Sequence, residues 1–486
     1  MTKEDKNKLL KIENKKLKAQ LKRRDDKIAR QDDKIARQDD KIARQDARIS
    51  QLEEEVKKKS FRQTYGAASP DYCKTIPGHQ FSEFVVRYAL ALRCGTNSST
   101  RNIVRTIEIL AELTHDLVDK VPTYNTIDYW VRKCGLDELK HAPENLKDKD
   151  CAAIIDECMM IGSQKLLAVL AVPAKHKGRP VRLEDVKVAG LNVKPGWTAQ
   201  TVYDAFQADV ERTGMNLRYV ISDNDNKIRK AIGMSGHMWH RDISHTLAMF
   251  MERVYKNDSE FVDFNDKVAA CRSLCCMKET AYLQSPTQRT KARFMNLSDV
   301  VEWADNLLQV LHERNARERE VFSFISSYAS LIEELKEMTS CVHHIEKEMK
   351  FKGLSKSTIA ACRKHVCATI MCGSERMRKV GQQIIGYLDE ENSLLGDKEV
   401  VNNSSDIIES TFGIFKYRQS PNKLNGVTSI VLHLPMIMAF ARKGASDNYN
   451  VRERLCRTRI KDIARWRKEN LLENLVAKRI KTLKSA

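Results

Sequence analysis

The stretch CAAIIDECMMI at residues 151–161 places an aspartate after four consecutive apolar residues. A short apolar run of this kind is typical of a strand that is buried on both faces of a sheet. Asp156 therefore lies within or at the end of a first predicted strand. A second stretch, LRYVISDND at 217–225, repeats the pattern and puts Asp223 at the end of a later strand. These two aspartates decide how the middle of the chain is interpreted.

The residues around these two stretches complete a mixed α/β sheet. Two more strands are predicted at 165–174 and 185–193, and a short fifth strand within HMWHRDISH at 237–245. The segment TAQTVYDAFQADVERTG is an amphipathic helix, with Thr198 as its N-cap and Gly214 as its stop. The order of three strands, a helix, a strand, a helix and a strand predicts five strands in one sheet.

The strand pattern ends after His245. Residues 246–395 are helical in pattern and rich in Lys, Glu and Leu. A helix returns in VNNSSDIIESTFGIFKYR (401–418), and another follows at 428–443. The tail from 446 to 486 is predicted to form one or two basic amphipathic helices.

The N-terminal region contains a heptad repeat, because DDKIARQ occurs three times between residues 25 and 45. Each g-position lysine precedes an e-position aspartate by five residues, the pairing expected between parallel helices. The pattern predicts a self-associating coiled coil, with a single solvated helix as the alternative. The a positions are Leu21, Ile28, Ile35, Ile42, Ile49 and Val56, the g lysines are Lys27, Lys34 and Lys41, and the e aspartates are Asp32, Asp39 and Asp46.

A further helical region, VPTYNTIDYWVRKCGL at 121–136, resembles the recognition helix of helix-turn-helix proteins. One side of this helix carries Ile127, Trp130 and Val131. The opposite side, which we expect to be exposed to DNA, carries Tyr124, Asn125, Asp128, Arg132 and Lys133. An ordinary three-helix bundle is the alternative interpretation.

The composition indicates an anionic partner. The 486 residues carry a formal charge of +19, and nucleic acid is the commonest partner of such a chain, although a ribosomal or membrane-surface protein would look similar. No apolar run approaches the roughly 18 residues that a spanning helix requires, and the N-terminus lacks a secretory signal. The thirteen cysteines form no CxxC pair, so we expect reduced thiols. These features predict a cytoplasmic, nucleoid-associated protein without a membrane partner.

The positions of the carboxylates predict a metal site. Sites in open α/β sheets form at strand ends, and two acids at neighbouring strand ends suit Mg²⁺. Two such ions can activate a nucleophile and stabilise a leaving oxygen on a phosphodiester, chemistry that calls for a third carboxylate. Glu409, on the helix of 401–418, is the candidate.

Each carboxylate also has a structural interpretation. Asp406 and Glu409 have the spacing of a capping box. Glu157 could replace Asp156 as the functional acid, and Asp223 and Asp225 could cap the next helix. Taken singly, each acid is more easily explained by one of these roles than by catalysis.

Taken together, three blocks of sequence resemble the DDE transposases of the ribonuclease H-like superfamily. The blocks are AAIIDEC, YVISDND and DIIESTFGIFKYR. The resemblance implies that Asp156, Asp223 and Glu409 form a catalytic triad that holds two Mg²⁺ or Mn²⁺ ions. Lys416 matches the basic residue that many insertion-sequence transposases carry beyond the glutamate, and Arg418 is a second candidate for binding substrate phosphates.

Two further features match a subgroup of this family. Asp242-x-x-His245 resembles the Cys/Asp-x-x-His signature of families with a helical insertion in the catalytic sheet. Asp156 and Asp223 are 67 residues apart, whereas Asp223 and Glu409 are 186 apart, which leaves room for such an insertion. In related families the insertion carries a tryptophan that stacks on a base near the cleavage point. Trp303 is the candidate here, with an ordinary buried aromatic residue as the alternative.

The resemblance therefore implies the transposase of a bacterial insertion sequence, which binds the double-stranded ends of its element, cleaves a phosphodiester and transfers the strand to target DNA. A non-enzymatic coiled-coil helix-turn-helix protein with an inactive sheet is the first alternative, and a structural nucleoid or scaffold protein the second. The predicted organisation is a coiled coil for homo-oligomerisation (1–60), a helix-turn-helix region (61–146), a ribonuclease H-like domain in two parts (147–245 and 396–445), a helical insertion (246–395) and a basic C-terminal helix (446–486).

Overall fold

The computed structural model describes residues 74–484 apart from 97, 115–116, 160–163, 288–292, 419–425 and 443, together with scattered residues between 15 and 49. The chain divides into two compact units, residues 1–70 and residues 71–486. The larger unit begins with four helices. They are α1 (Glu83–Gly95), α2 (Thr100–Thr114), α3 (Tyr124–Lys140) and α4 (Ala142–Leu146).

A five-stranded mixed sheet follows, with the spatial order β3-β2-β1-β4-β5. β2 runs antiparallel to β1 and β3, whereas β1, β4 and β5 are parallel. All five strands predicted from the sequence are confirmed. Their bounds are β1 (Asp150–Met159), β2 (Lys165–Pro173), β3 (Lys187–Lys194), β4 (Asn216–Ser222) and β5 (Met238–Arg241).

One face of the sheet packs on α4, α5 (Ala199–Thr213) and α6 (Asn226–Ser235). Its core contains Ala153 and Ile155 of β1 together with Phe206 of α5. The predicted limits of α5 are confirmed. The Thr198 hydroxyl accepts a hydrogen bond from the Thr201 amide, and Gly214 ends the helix in a left-handed conformation with a φ of 62°.

The other face packs on the helices that follow β5. The main core of the protein joins Ala152 and Ile154 of β1 to side chains from these helices, so the predicted insertion shares a core with the sheet. The elements that the structure describes between 243 and 394 are all helices. The elements are α7 (Ile243–Tyr255), α8 (Ser259–Cys275), α9 (Leu297–Val310), α10 (Ala316–Phe322), α11 (Ala329–Lys352), α12 (Lys356–Ala368) and α13 (Glu375–Leu394), followed by α14 (Asp406–Arg418).

The C-terminal helices pack on the N-terminal ones. A separate core combines Trp130 and Val131 of α3 with Met436, Phe440 and Leu455 from near the C-terminus. The predicted regions 61–146 and 446–486 therefore share a core instead of folding as separate domains. These last helices are α15 (His433–Phe440), α16 (Ala445–Asn448), α17 (Val451–Arg457), α18 (Ile460–Asn470) and α19 (Leu475–Lys484).

This packing corrects the prediction of an exposed polar face on α3. Ile127, Trp130 and Val131 are buried as expected, and α15, α17 and α18 contact α3 as well. Lys133 is buried, and Arg132 bonds Asp128 and the Ser429 hydroxyl. Much of the side that we expected to meet DNA is therefore covered by residues about 300 positions later in the chain.

The N-terminal unit is helical at each residue that the structure describes between 15 and 49. Five of the predicted a positions are among them, and each is more than half exposed: Leu21, Ile28, Ile35, Ile42 and Ile49. The last predicted a position, Val56, and Lys41, Asp32, Asp39 and Asp46 of the predicted charge pairs lie outside the described residues.

No helix in the described part of the chain combines the length and the apolar character needed to cross a membrane.

Candidate active site

Asp156 lies on β1 and faces the main core side of the sheet. Side chains alternate along a strand, and Ala152, Ile154 and Cys158 belong to the core on that side. Glu157 therefore points to the opposite face, where its carboxylate contacts Lys165 at 2.5 Å and Lys227 at 3.0 Å. The geometry favours Asp156 over Glu157 as the acid that meets the helices of the main core.

Asp223 follows β4 and lies beside Asp156. The parallel register pairs Ile154 with Ile221, so two residues further along both strands bring Asp156 next to Asp223. Asp225 has a different role, because its carboxylate caps α6 by accepting hydrogen bonds from the amides of Lys227 and Ile228. Of the two acids that could have been caps, Asp225 is the one whose carboxylate caps the helix.

Glu409 reaches this end of the sheet from α14. The helix buries Ile408, Phe412 and Phe415 in the main core, while the Glu409 side chain stays 46% exposed. Its Oε1 lies 2.6 Å from Nε2 of His245, which belongs to the first turn of α7. Three acids from distant parts of the chain are therefore gathered with His245 at one end of the sheet.

The Asp242 carboxylate forms hydrogen bonds both with α7 and with the residue before α14. This buried carboxylate caps α7 by accepting a hydrogen bond from the His245 amide at 2.7 Å. The other oxygen accepts a hydrogen bond from the amide of Ser405, just before α14, at 2.6 Å. The Asp-x-x-His sequence thus joins the helix that carries His245 to the helix that carries Glu409.

The pKa values of the cluster show that its charges act on one another. Burial and, after it, the neighbouring Asp223 and Glu409 carboxylates together raise the pKa of Asp156 to about 7. Burial also raises the pKa of Asp223. The pKa of His245 is raised to about 9: burial opposes the charge, but the hydrogen bond to Glu409 and the Asp242 carboxylate outweigh it. At neutral pH one imidazolium therefore faces several carboxylates.

The oxygen ligands at this site are of the type that Mg²⁺ or Mn²⁺ requires. Asp156 and Asp223 project side by side from adjacent strands, and burial, with the neighbouring carboxylates as a second cause, raises their pKa values. A bound cation would favour their charged forms. In this conformation, no three His, Cys, Asp or Glu side chains of the described residues are grouped tightly enough to hold one ion. Glu409 is instead paired with His245, so it would have to leave that contact to become a third ligand.

Lys416 and Arg418 occupy different environments on α14. Lys416 is exposed, and its charge acts on the Cys158 thiol, whose pKa is raised by burial and lowered in part by this lysine. It therefore lies near the strand end that carries Asp156. Arg418 is buried and donates a hydrogen bond to the Cys94 carbonyl, and burial lowers its pKa to about 10. This placement does not leave the Arg418 guanidinium open to a substrate phosphate.

Trp303 lies on α9 within the insertion and is partly buried against the main core. Its indole N–H donates a hydrogen bond to the Leu283 carbonyl at 2.9 Å. Its ring meets Phe322 edge-on at 6.4 Å between centroids. These contacts match the alternative interpretation, an aromatic residue that stabilises the insertion, more closely than a base-stacking role.

The predicted DNA-binding residues of α3 differ in their exposure. Tyr124 and Asn125 are exposed at the start of the helix, and the Arg101 guanidinium lies 5.7 Å from the Tyr124 ring centroid. The Lys133 ammonium is buried and lies 3.3 Å from Nε2 of His79. Tyr124 and Asn125 thus keep the predicted exposure, whereas Arg132 and Lys133 take part in packing.

The sequence analysis did not predict one contact at the site. Asp406, interpreted there as a helix cap, forms an ion pair with Lys350 of α11 at 2.7 Å. No local pattern marks Lys350, because it stands in a lysine- and glutamate-rich helix like its neighbours.

Comparisons with known proteins do not assign the chain to a family: no protein-family model matches it, and no curated protein matches it either.

Proposed function

We propose that this protein is a DDE-type transposase, which cleaves a phosphodiester at the ends of a mobile DNA element and transfers the freed strand. The observation that carries the proposal is the convergence of Asp156, Asp223 and Glu409 at one end of the sheet. The order of the strands, with β2 alone antiparallel, also resembles the ribonuclease H-like arrangement.

The three acids are carried by different elements of the fold. Asp156 lies within β1 and Asp223 directly follows β4, so the sheet fixes the backbone that carries both carboxylates, and Glu409 presents a third carboxylate from a helix packed on the same face. When two divalent ions are bound, they activate the attacking oxygen and stabilise the leaving oxygen of an in-line displacement at phosphorus. All three carboxylates would serve as ligands.

Two basic side chains complete the proposed site. Lys416 is exposed near the end of β1, where it can contact a substrate phosphate on the same side as Asp156. His245 is charged at neutral pH and holds Glu409 in the present conformation. We propose that Glu409 exchanges this contact for metal ligation when the site is loaded.

DNA is the proposed substrate because of the charge and the chemistry together. The net charge of +19 predicts binding that weakens steeply with salt, since each phosphate contact releases counterions. The buried side of α3 leaves Tyr124 and Asn125 as candidate contacts, and the basic α18 and α19 add Arg467, Lys468 and Lys481 near the C-terminus.

We propose homo-oligomerisation through the N-terminal heptad repeat. Its leucine and isoleucines recur every seven residues and are exposed, as expected for a seam that a second copy covers. Deleting residues 1–60 is expected to lower the molar mass measured by light scattering. A truncated protein with the mass distribution of the full chain would contradict the coiled coil.

The function is tested by cleavage of DNA. Inverted repeats that flank the gene define the substrate duplex, and the full-length protein is expected to nick it in Mg²⁺ or Mn²⁺ and to be inactive in EDTA. Binding without cleavage under all metal conditions would favour the non-enzymatic DNA-binding protein. Binding without preference for the repeats over random duplex would favour the scaffold protein.

A further inference from the structure

The segment 400–406 connects the insertion to α14 and therefore sets the position of Glu409. It is anchored first on the insertion side. Val401 pairs with Leu354, just after α11, through two backbone hydrogen bonds of 2.9 and 3.0 Å. The His176 amide donates a hydrogen bond to the Val400 carbonyl at 3.0 Å. The start of this segment is thus attached to the end of α11 and to the loop after β2.

The next residues are anchored to the sheet and to α7. The Asn402 amide donates a hydrogen bond to the Tyr219 hydroxyl at 2.9 Å, and the Asn403 carbonyl accepts one from the Ile243 amide at 3.0 Å. The Asp242 carboxylate then accepts a hydrogen bond from the Ser405 amide, as described above. These bonds fix the backbone up to the residue that precedes α14.

Lys350 adds a direct contact between the insertion and the first residue of α14. Its ammonium lies 2.7 Å from Asp406, and the lysine side chain is only 19% exposed. The Lys350 carbonyl accepts a hydrogen bond from the His176 ring at 3.1 Å, so the backbone of α11 is held at the same point. Glu409 lies three residues after Asp406, which places it about one turn further along the helix.

Gly353 allows α11 to end this close to the connecting segment. It has a φ of 81°, and a Cβ at this position would lie 2.6 Å from Cγ1 of Val400 and 2.7 Å from Cγ of His176. A side chain here would therefore force the two segments apart.

A cavity adjoins the Lys350–Asp406 contact, beside α11 and α7. It has a volume of about 210 Å³ and is lined by Ser244, Glu346, Lys350 and Asp406 among others. Glu346 also faces Lys350: burial raises the pKa of this acid, and the lysine lowers it. The apolar side chains of Met251, Phe294 and Val342 line the rest of this cavity, and the Lys350–Asp406 pair at its edge provides a direct side-chain link from the insertion to the start of α14.

We infer that Lys350 is a positioning residue for Glu409: its ion pair with Asp406 holds the first turn of α14 so that the third carboxylate faces Asp156 and Asp223. This inference rests on the proposed function of the same site. Through Lys350, the insertion helps to position the three acids, in addition to any contact that the insertion makes with DNA.

The test compares Lys350→Met with wild type in the full-length protein. Misplacement of a catalytic group by a distant substitution is expected to lower the cleavage rate constant about tenfold to a hundredfold. The KM for end DNA should change less than about twofold, since binding surfaces are untouched. As a readout independent of cleavage, the Mn²⁺ concentration that gives half of the maximal rise in melting temperature should increase about tenfold.

Matched variants separate positioning from a general loss of structure. Lys352→Met removes another lysine of α11, one that pairs with Glu348 within the helix, and should behave as wild type. Lys350→Arg should restore most of the activity and the Mn²⁺ response. Asp406→Asn should reproduce the defect, and the double variant should be no worse than either single one. If Lys350→Met does not fold, the half-exposed Asp406→Asn carries the comparison.

The outcomes are distinguishable. Equal rates and Mn²⁺ responses for Lys350→Met and Lys352→Met would overturn the positioning role, and so would a Lys350→Arg variant as defective as Lys350→Met. A wild-type protein that neither cleaves nor is stabilised by Mn²⁺ would overturn the proposed function itself, and the inference with it.

Discussion

Charged side chains are concentrated both at the end of the sheet and along α3, and the two regions balance their charges in opposite ways. On α3, Asp137 is fully buried and meets the Arg454 guanidinium at 2.7 Å and the Thr458 hydroxyl at 3.4 Å. At the end of the sheet, Asp156, Asp223 and Glu409 lie close to one another and to the imidazolium of His245. The first region pairs each acid with a base, whereas the second gathers acids against one another.

The difference separates a structural role from a functional one. Burying a charge is costly, and a partner such as Arg454 offsets that cost in the folded chain alone. Acids that raise one another's pKa oppose folding, so their proximity calls for another explanation, and binding of cations is the one that the oxygen ligands favour. The following changes would break or sharpen this contrast.

The largest effect is expected for the acids at the end of the sheet. Asp156→Asn, Asp223→Asn and Glu409→Gln should each lower DNA cleavage by about a thousandfold or more, because a neutral amide is a poor ligand for a metal pair. End binding should be nearly unchanged, and each variant should still fold. The controls are Glu157→Gln, which lies on the opposite face, and Asp225→Asn, in which the amide oxygen can still cap α6. Near-normal cleavage by any one of the three variants would exclude that residue from the triad.

A large effect on stability, without a direct effect on chemistry, is expected on α3. Asp137→Ala removes the fully buried carboxylate that contacts the Arg454 guanidinium at 2.7 Å and leaves this guanidinium with the Glu138 carboxylate at 3.3 Å, and we expect a loss of about 3 kcal/mol in the free energy of unfolding. Chemical denaturation with urea measures the loss. Arg105→Ala, which removes an exposed ion pair with Glu108, should show no measurable change. If both variants were equally stable, the burial of the α3 network would not matter energetically.

A smaller effect concerns the pH dependence of stability. The pKa of Asp156 is about 7 in the folded protein, and it is near 3.9 in an unfolded chain. Between these values the folded state binds the extra proton, so stability should fall as the pH rises from about 4 to 7, by about 2 kcal/mol for a carboxyl that stays partly hydrated.

The Asp156→Asn variant isolates this contribution. Without added metal, it should be more stable than wild type at pH 8, and the advantage should disappear near pH 4, where the carboxyl is protonated in both states. Denaturation of both proteins at the two pH values gives the difference. An advantage that is the same at pH 4 and pH 8 would show that repulsion among the acids is not its source.

The smallest effect is expected for Trp303. Trp303→Phe keeps an aromatic ring beside Phe322 but loses the hydrogen bond to the Leu283 carbonyl, at a cost of about 1 kcal/mol. Cleavage at temperatures below the melting transition should be unchanged. A strong cleavage defect in a normally folded Trp303→Phe protein would restore the base-stacking prediction and set Trp303 apart from the structural residues.

The sequence alone predicted the parts of the fold that have local causes. The apolar runs of β1 and β4 identify strands because a strand buried on both faces must be apolar throughout. Thr198 and Gly214 mark the ends of α5 because a cap is satisfied within one turn of helix. The acids of the candidate site could be selected because Asp156 and Asp223 each follow an apolar run and Glu409 interrupts an apolar helix.

Only the tertiary structure decided which polar side chains remain exposed. The polar side of α3 looks solvent-exposed in its own sequence, and it is covered because residues from 429 onwards pack on it. Arg418 is buried against the Cys94 carbonyl, and Lys350 meets Asp406 across 56 positions of sequence. Helical periodicity states which residues share a face, but contacts between distant segments determine what that face meets, and no local pattern contains that information.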